Sequence, residues 1–241
     1  MNRILPKTIT LGVTLGALLA AAPLSVASAL ATSKSTTADQ ARVIVIISAG
    51  DREISRRLTS LGNLSSKITA ATHLNAGDKS TLSAEVSSEQ SGLTALKSKL
   101  DAETTLAGAR ADAQSIYSDY RVYALVVPKV QLVKVADDQQ LVESKLTDLA
   151  TKLQTRLDSA KSGGKDVTSL QTQLADMQAK TQAATAISAS IEAKVINLQP
   201  SDYNSDHTIL SGDRNQLQTA HTDNQAAASD AKAIIADLKN S

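Results

Sequence analysis

Apolar residues recur at steps of three and four along this chain from about residue 32 to its end, and this spacing restricts the fold more than any other feature. One run, with Thr181 as its single polar member, consists of Val167, Leu170, Leu174, Met177, Thr181, Ala184, Ile187 and Ile191. Such steps place the side chains on one face of an α-helix. The sequence therefore predicts an all-α fold, an elongated antiparallel helical bundle or coiled coil of four to five long helices.

Turn residues divide this pattern into predicted helices, which cover about residues 38–72, 79–120, 131–162, 166–198 and 201–238 (or 206–238). Val127 precedes Pro128, which disfavours helical geometry at Val127, and the surrounding residues are rich in valine. Residues 121–130 are therefore predicted to be an extended connector. It would join an N-terminal helical hairpin, residues 32–120, to a C-terminal bundle segment, residues 131–241.

Two pairs of segments resemble each other within the chain. Residues 58–61 (LTSL) match residues 146–149 (LTDL), and residues 112–119 (DAQSIYSD) match residues 230–237 (DAKAIIAD). The two offsets differ, so an insertion would have to lie inside the second half. We interpret the pattern as a duplicated helical hairpin with the connector at its joint.

Residues 1–31 have the layout of a secretory signal peptide. Arg3 and Lys7 precede an uncharged apolar stretch, and the A-x-A pattern that signal peptidase favours follows near Ala29. The apolar run is shorter than the ~20 residues of a membrane-spanning helix, and Pro23 interrupts it. Cleavage is therefore favoured over retention as an anchor, although the sequence leaves both open. The protein is predicted to be exported, and thus extracellular, periplasmic or associated with the cell envelope.

Charge and residue types exclude several classes of function. Removing Arg3 and Lys7 from the 25 basic residues leaves 23, against 24 acidic residues. This nearly neutral balance lacks the excess of positive charge that binding to nucleic acid or anionic lipid requires. The chain has no Cys and hence no disulfides, which favours a bacterial source for an exported protein. We predict no nucleic-acid partner, no cofactor, and no stable membrane insertion after signal cleavage.

The best metal candidate is a partial calcium loop. Asp202, Asn204 and Asp206, followed by Asp213, resemble the D-x-N-x-D pattern in which alternate oxygen ligands surround a hard cation. However, His207 stands where the loop needs Gly, and Asp213 replaces the bidentate Glu. The favoured interpretation is a capped helix start with acids facing solvent, so no metal site is predicted.

The remaining polar residues carry no catalytic pattern. His73, His207 and His221 share no ligand spacing, and His221 falls with Asn224 in a helical seam, where a polar pair sets helix register. Ser-x-x-Lys spacings occur twice without the companion motifs that make them diagnostic. No catalytic residue is predicted, and the protein is not expected to be an enzyme.

Two groups of charged residues are interpreted as solvated. The adjacent acids Asp137 and Asp138 suit an early helical turn, where the helix dipole favours negative charge. Arg52, Arg56 and Arg57 are interleaved with acids, as in an exposed charged helix face.

Three of the four tyrosines, Tyr117, Tyr120 and Tyr123, lie within seven residues. They would form either an exposed recognition patch, since Tyr offers rigid amphipathic contact area, or a plug at the end of the bundle. The plug is favoured because large exposed apolar patches are rare on soluble proteins. The cluster is nevertheless the candidate interaction patch.

These observations predict a non-enzymatic secreted or cell-envelope protein that acts as a spacer, a scaffold or a protein-interaction surface. Helical seams would serve a protein partner or self-association. One alternative is an extracytoplasmic helical chaperone or solute-binding bundle with an apolar groove. The other is a membrane-active helical protein, against which the lack of Trp, Phe and positive charge weighs.

Overall fold

The computed structural model describes residues 36–240, which form seven α-helices and one π-helical turn. The helices are α1 (Thr37–Ala70), α2 (Ala76–Asp101), α3 (Leu106–Ser118), α4 (Val127–Ser162), α5 (Thr168–Val195), α6 (Pro200–Ser205) and α7 (Asp213–Asn240), with the π-helical turn at Val122–Val126. This part of the chain has no strand, which confirms the all-α helical bundle. The predicted signal peptide, residues 1–31, lies outside the described residues.

The helices pack as two three-helix units. In the N-terminal unit α1 packs against both α2 and α3, and in the C-terminal unit α4, α5 and α7 pack against one another. One buried apolar cluster fills the N-terminal unit and continues into the start of α4 and the end of α5. A second cluster fills the far part of the C-terminal unit. The first cluster therefore also spans the joint between the units.

The two internal resemblances fall on corresponding helices of the two units. The first joins α1 to α4, and the second joins α3 to α7. Each unit also has an ion pair between its second and third helices, Lys99 Nζ to Asp112 Oδ1 at 2.6 Å and Lys180 Nζ to Asp230 Oδ2 at 2.8 Å. The connection between the second and third helices has 4 residues, 102–105, in the first unit and 17 residues, 196–212, in the second, so it accounts for 13 of the 30 residues by which the two offsets differ.

The end of α4 lies at the predicted glycine pair. Gly164 adopts a φ of +84°, in the left-handed region that favours glycine. The Lys165 N–H then donates to the Ala160 carbonyl at 3.1 Å, which satisfies a carbonyl of the last helical turn.

The prediction of one continuous helix over residues 79–120 is wrong. Helix α2 ends at Asp101, and the Thr105 hydroxyl accepts a hydrogen bond from the Gly108 N–H at 3.1 Å, which caps the start of α3. Helix α3 then packs against α1 and completes the N-terminal unit. Neither Gly nor Pro marks this break, so the sequence pattern did not reveal it.

The predicted extended connector, residues 121–130, is also wrong, because this segment is helical. The Val126 N–H donates to the Arg121 carbonyl at 3.1 Å, one residue farther back than in an α-helix. Pro128 lies in the first turn of α4, where its missing N–H is tolerated. Val122, Leu125 and Val126 are fully buried, and this burial outweighs the local preference of the residue before proline.

Of the helices in residues 36–240, none combines the length and the apolarity that crossing a bilayer requires.

Candidate functional site

The three clustered tyrosines divide into one packed and two exposed side chains. A Cβ at Gly92 would lie 2.6 Å from the Tyr120 hydroxyl, so this close approach depends on glycine. Burial and the nearby Glu89 carboxylate raise the pKa of Tyr120. Tyr117 and Tyr123 are 52% and 47% exposed. The plug interpretation thus suits Tyr120, and the exposed-patch interpretation suits the other two.

Arg57 connects the two exposed tyrosines. Its guanidinium carbon lies 4.7 Å from the ring centre of Tyr117 and 5.3 Å from that of Tyr123. The Tyr123 hydroxyl also hydrogen-bonds to the Ser60 hydroxyl at 3.1 Å, and Arg57 pairs with Glu53 one turn earlier. Arg57 is only 5% exposed, so its interpretation as part of a solvated face is wrong: the aromatic rings cover it.

We call Arg57, Tyr117 and Tyr123 the Arg–Tyr surface. Its residues come from α1, α3 and the π-helical turn, and it combines two aromatic rings with a cation that contacts both of them. Arg56, whose side chain is 71% exposed, lies one residue from Arg57 and pairs with the same carboxylate, Glu53. Such a surface suits contact with a protein partner, since aromatic and Arg side chains are enriched in protein interfaces.

The four candidate calcium ligands are each engaged elsewhere, and the prediction that the acids face solvent is wrong for Asp213, which is 2% exposed. Their partners are Gln199 for Asp202, Arg121 for Asn204, Thr208 for Asp206 and Lys194 for Asp213. Within residues 36–240 the carboxylates of this set do not come together as a possible metal-binding group. The Asn204 side chain instead binds α6 to the end of α3, because it also donates to the Ser118 carbonyl at 2.9 Å.

Three carboxylates meet where α2, α4 and α5 join. Oxygens of Asp78, Asp137 and Glu192 all lie within 4.8 Å of one another, and in the described residues this is the group that has the geometry to hold a metal ion. The Asn75 backbone N–H donates to Asp137 at 2.7 Å, and the Asn75 amide donates to Asp78 at 2.8 Å. Asp137 is 4% exposed, so the interpretation of the Asp137–Asp138 pair as solvated is wrong for Asp137.

The environments of Asp78 and Asp137 favour their protonated forms. Burial, followed by the charges of Glu192 and Asp137, raises the pKa of Asp78 to about 6. Burial also raises the pKa of Asp137, although its hydrogen bonds from Asn75 act in the opposite direction. Either protons or a cation would relieve the repulsion within the group.

A fully buried lysine lies at the same joint. Lys129 Nζ donates to Glu85 Oε1 at 2.7 Å and to the Leu198 carbonyl, so it connects α2, α4 and the segment after α5. Burial and the Glu85 carboxylate raise the pKa of Glu89 to about 7, while Lys129 opposes this shift. Together these side chains connect the two units through charged groups, in addition to the apolar contacts of the first buried cluster.

We call the charged groups of this joint the acid-rich junction; they are Asp78, Glu85, Glu89, Asp137, Glu192 and Lys129. Among the ion pairs of residues 36–240, the pair between Lys129 and Glu85 is the one that engages these acids. The sequence does not mark the junction as a group, because its members come from three helices that lie far apart in the chain.

The C-terminal unit contains a second polar cluster, between α4, α5 and α7. The Asn224 amide donates to Gln139 at 2.8 Å and to Glu143 at 3.2 Å, and the Ser188 hydroxyl donates to Glu143 at 2.9 Å. His221 contacts the Gln139 amide at 3.3 Å. The helical seam predicted to contain His221 and Asn224 of α7 thus also includes side chains of α4 and α5.

Comparison with known proteins gives no match to a family model, to a curated protein or to a solved structure.

Proposed function

We propose that this protein is a non-enzymatic helical scaffold or spacer that acts outside the cytoplasm and binds a protein partner through the Arg–Tyr surface. The observation that carries this proposal is the pair of half-exposed rings, Tyr117 and Tyr123, held against the buried Arg57. Tyr and Arg contribute a large share of the binding energy in protein interfaces. Rings that already pack against Arg57 lose less conformational freedom on binding than free side chains do.

The length and joining of the helices support the scaffold role. Helix α4 has 36 residues and thus a length of about 54 Å, and it runs from the joint along the C-terminal unit. The buried Lys129 fastens this helix to α2 of the N-terminal unit. A location outside the cytoplasm is proposed on the signal-peptide layout of residues 1–31.

Site-specific photo-crosslinking in the producing cells tests the binding surface. We expect p-benzoylphenylalanine in place of Tyr123 to give a discrete adduct with one protein, because this ring would lie in the interface. Arg57→Ala should reduce the adduct at least ~10-fold, since it removes the cation that holds the ring. The control position is Ala95, exposed on α2. The same adducts from residues 95 and 123, or none from residue 123, would contradict the proposal.

A groove between α4 and α7 favours a second candidate function, an extracytoplasmic chaperone or solute-binding bundle. The groove has a volume of about 550 Å³, and its apolar lining consists of Pro128, Leu132, Val135, Leu210 and Leu217. Its polar lining includes Gln139 and His221.

Titration with anilinonaphthalene sulfonate separates the two candidates. If the protein is a scaffold, we expect no saturable rise in dye fluorescence, because the shallow groove does not enclose a ligand. A saturable rise that Val135→Lys abolishes would favour the solute-binding role. Val135 is 40% exposed, so this substitution places its charge in solvent and should leave the fold intact.

A further inference from the structure

The polar cluster of the C-terminal unit contains a buried carboxylate without a cationic partner. Glu143 is 2% exposed, and no Lys, Arg or His of residues 36–240 forms an ion pair with it. Its Oε1 accepts from Ser188 and Asn224, whereas its Oε2 has no hydrogen-bond donor among the described residues. Buried charges are ordinarily paired or bound to a metal, because leaving water without a partner is highly unfavourable.

A second oxygen in the same cluster also lacks a donor. Asn224 is 3% exposed, and its amide nitrogen donates to Gln139 Oε1 and Glu143 Oε1. Exchanging the amide nitrogen and oxygen would point an oxygen at both of these acceptors, so the hydrogen bonds fix the orientation. Asn224 Oδ1 then remains buried with no donor from the described part of the chain. Both unsatisfied atoms are therefore oxygens that require a positive or donating group.

We propose that this polar cluster, formed by Gln139, Glu143, Ser188 and Asn224, binds one monovalent hard cation such as sodium. The atoms of the cluster that are free to bind a cation are oxygens, and hard cations prefer oxygen ligands. A single carboxylate and a single positive charge form a neutral pair, whereas a divalent ion would leave an uncompensated charge in the interior. Gln139 also lines the groove between α4 and α7, so one residue of the cluster borders this groove.

Thermal unfolding in sodium chloride and in choline chloride, at the same ionic strength, tests this site. We expect the wild-type Tm at 150 mM salt to be at least ~3 °C higher in sodium chloride, because sodium binds only the folded state. Glu143→Gln removes the carboxylate and should abolish the difference. The matched control is Asp148→Asn, an exposed acid on the same helix, which should retain it. Asn224→Asp adds a second carboxylate and should shift the preference towards calcium.

Equal wild-type Tm values in the two salts would overturn the proposal and assign the cluster to an internal water. A sodium effect that remains in Glu143→Gln would also overturn it. A sodium effect that is lost in Glu192→Gln would overturn it as well, because the ion would then bind at the acid-rich junction. If Glu143→Gln does not fold, the ²³Na linewidth of the wild-type protein decides. Excess broadening over a protein-free solution that persists in Glu192→Gln supports the site, and its absence contradicts it.

Discussion

Replacing Lys129 with Met is expected to lower the free energy of unfolding by about 3–5 kcal/mol. Lys129 is fully buried, and its ammonium group binds both Glu85 and the Leu198 carbonyl. The substitution would leave these acceptors without their donor and would remove the positive charge next to Glu89. Urea denaturation followed by circular dichroism measures the change, with Lys134→Met as the control.

The control and a double variant distinguish the contribution of the Lys129–Glu85 ion pair from the general effect of losing a lysine. The Lys134 side chain is 50% exposed and pairs with Asp138 one turn away, so its replacement should change stability by less than about 1 kcal/mol. Adding Glu85→Gln to Lys129→Met should recover part of the loss, because it removes the unpaired carboxylate. Equal losses for Lys129→Met and Lys134→Met would show that the junction does not depend on the buried pair.

The protein is also expected to be more stable at pH 5 than at pH 8, by on the order of 3 kcal/mol. Burial and neighbouring carboxylates raise the pKa of Asp78 to about 6 and that of Glu89 to about 7. The folded chain therefore holds protons that the unfolded chain releases between about pH 4 and pH 7. The free energy of unfolding falls as the pH rises through this window, because the ionised carboxylates are disfavoured in the junction.

Denaturation at several pH values in the presence of EDTA measures this effect and prevents a divalent cation from replacing the protons. Combining Asp78→Asn with Glu89→Gln should flatten the profile, whereas Asp148→Asn, at an exposed position of α4, should retain it. A wild-type stability that rises from pH 5 to pH 8 would contradict the strained, acid-rich junction.

The features that the sequence predicted correctly depend on local chemistry. Apolar residues at helical spacing produced the helices, and the Gly163–Gly164 pair ends α4 because glycine adopts the left-handed conformation there. The break between α2 and α3 was missed because a Thr cap, rather than Gly or Pro, starts the new helix. The end of α4 was predicted and the start of α3 was missed because glycine marks a helix end more clearly than threonine marks a helix start.

The features that the sequence did not predict depend on contacts between distant parts of the chain. Pro128 indicated an extended segment, but burial of Val122, Leu125 and Val126 holds it in a helical conformation. Arg57 is shielded by rings about sixty residues away in sequence, which helical spacing alone cannot indicate. Contacts between residues this far apart in sequence can be identified only from the packed arrangement of the helices.

A distance measurement between the two units tests the scaffold proposal most directly. The chain has no Cys, so spin labels can be attached selectively to Ser88→Cys on α2 and Ala175→Cys on α5, both at exposed positions. Pulsed electron resonance should give one narrow distance distribution at neutral pH, because the buried apolar cluster and Lys129 hold the units together. A broad or two-peaked distribution would show that the units move relative to each other and would contradict a rigid scaffold.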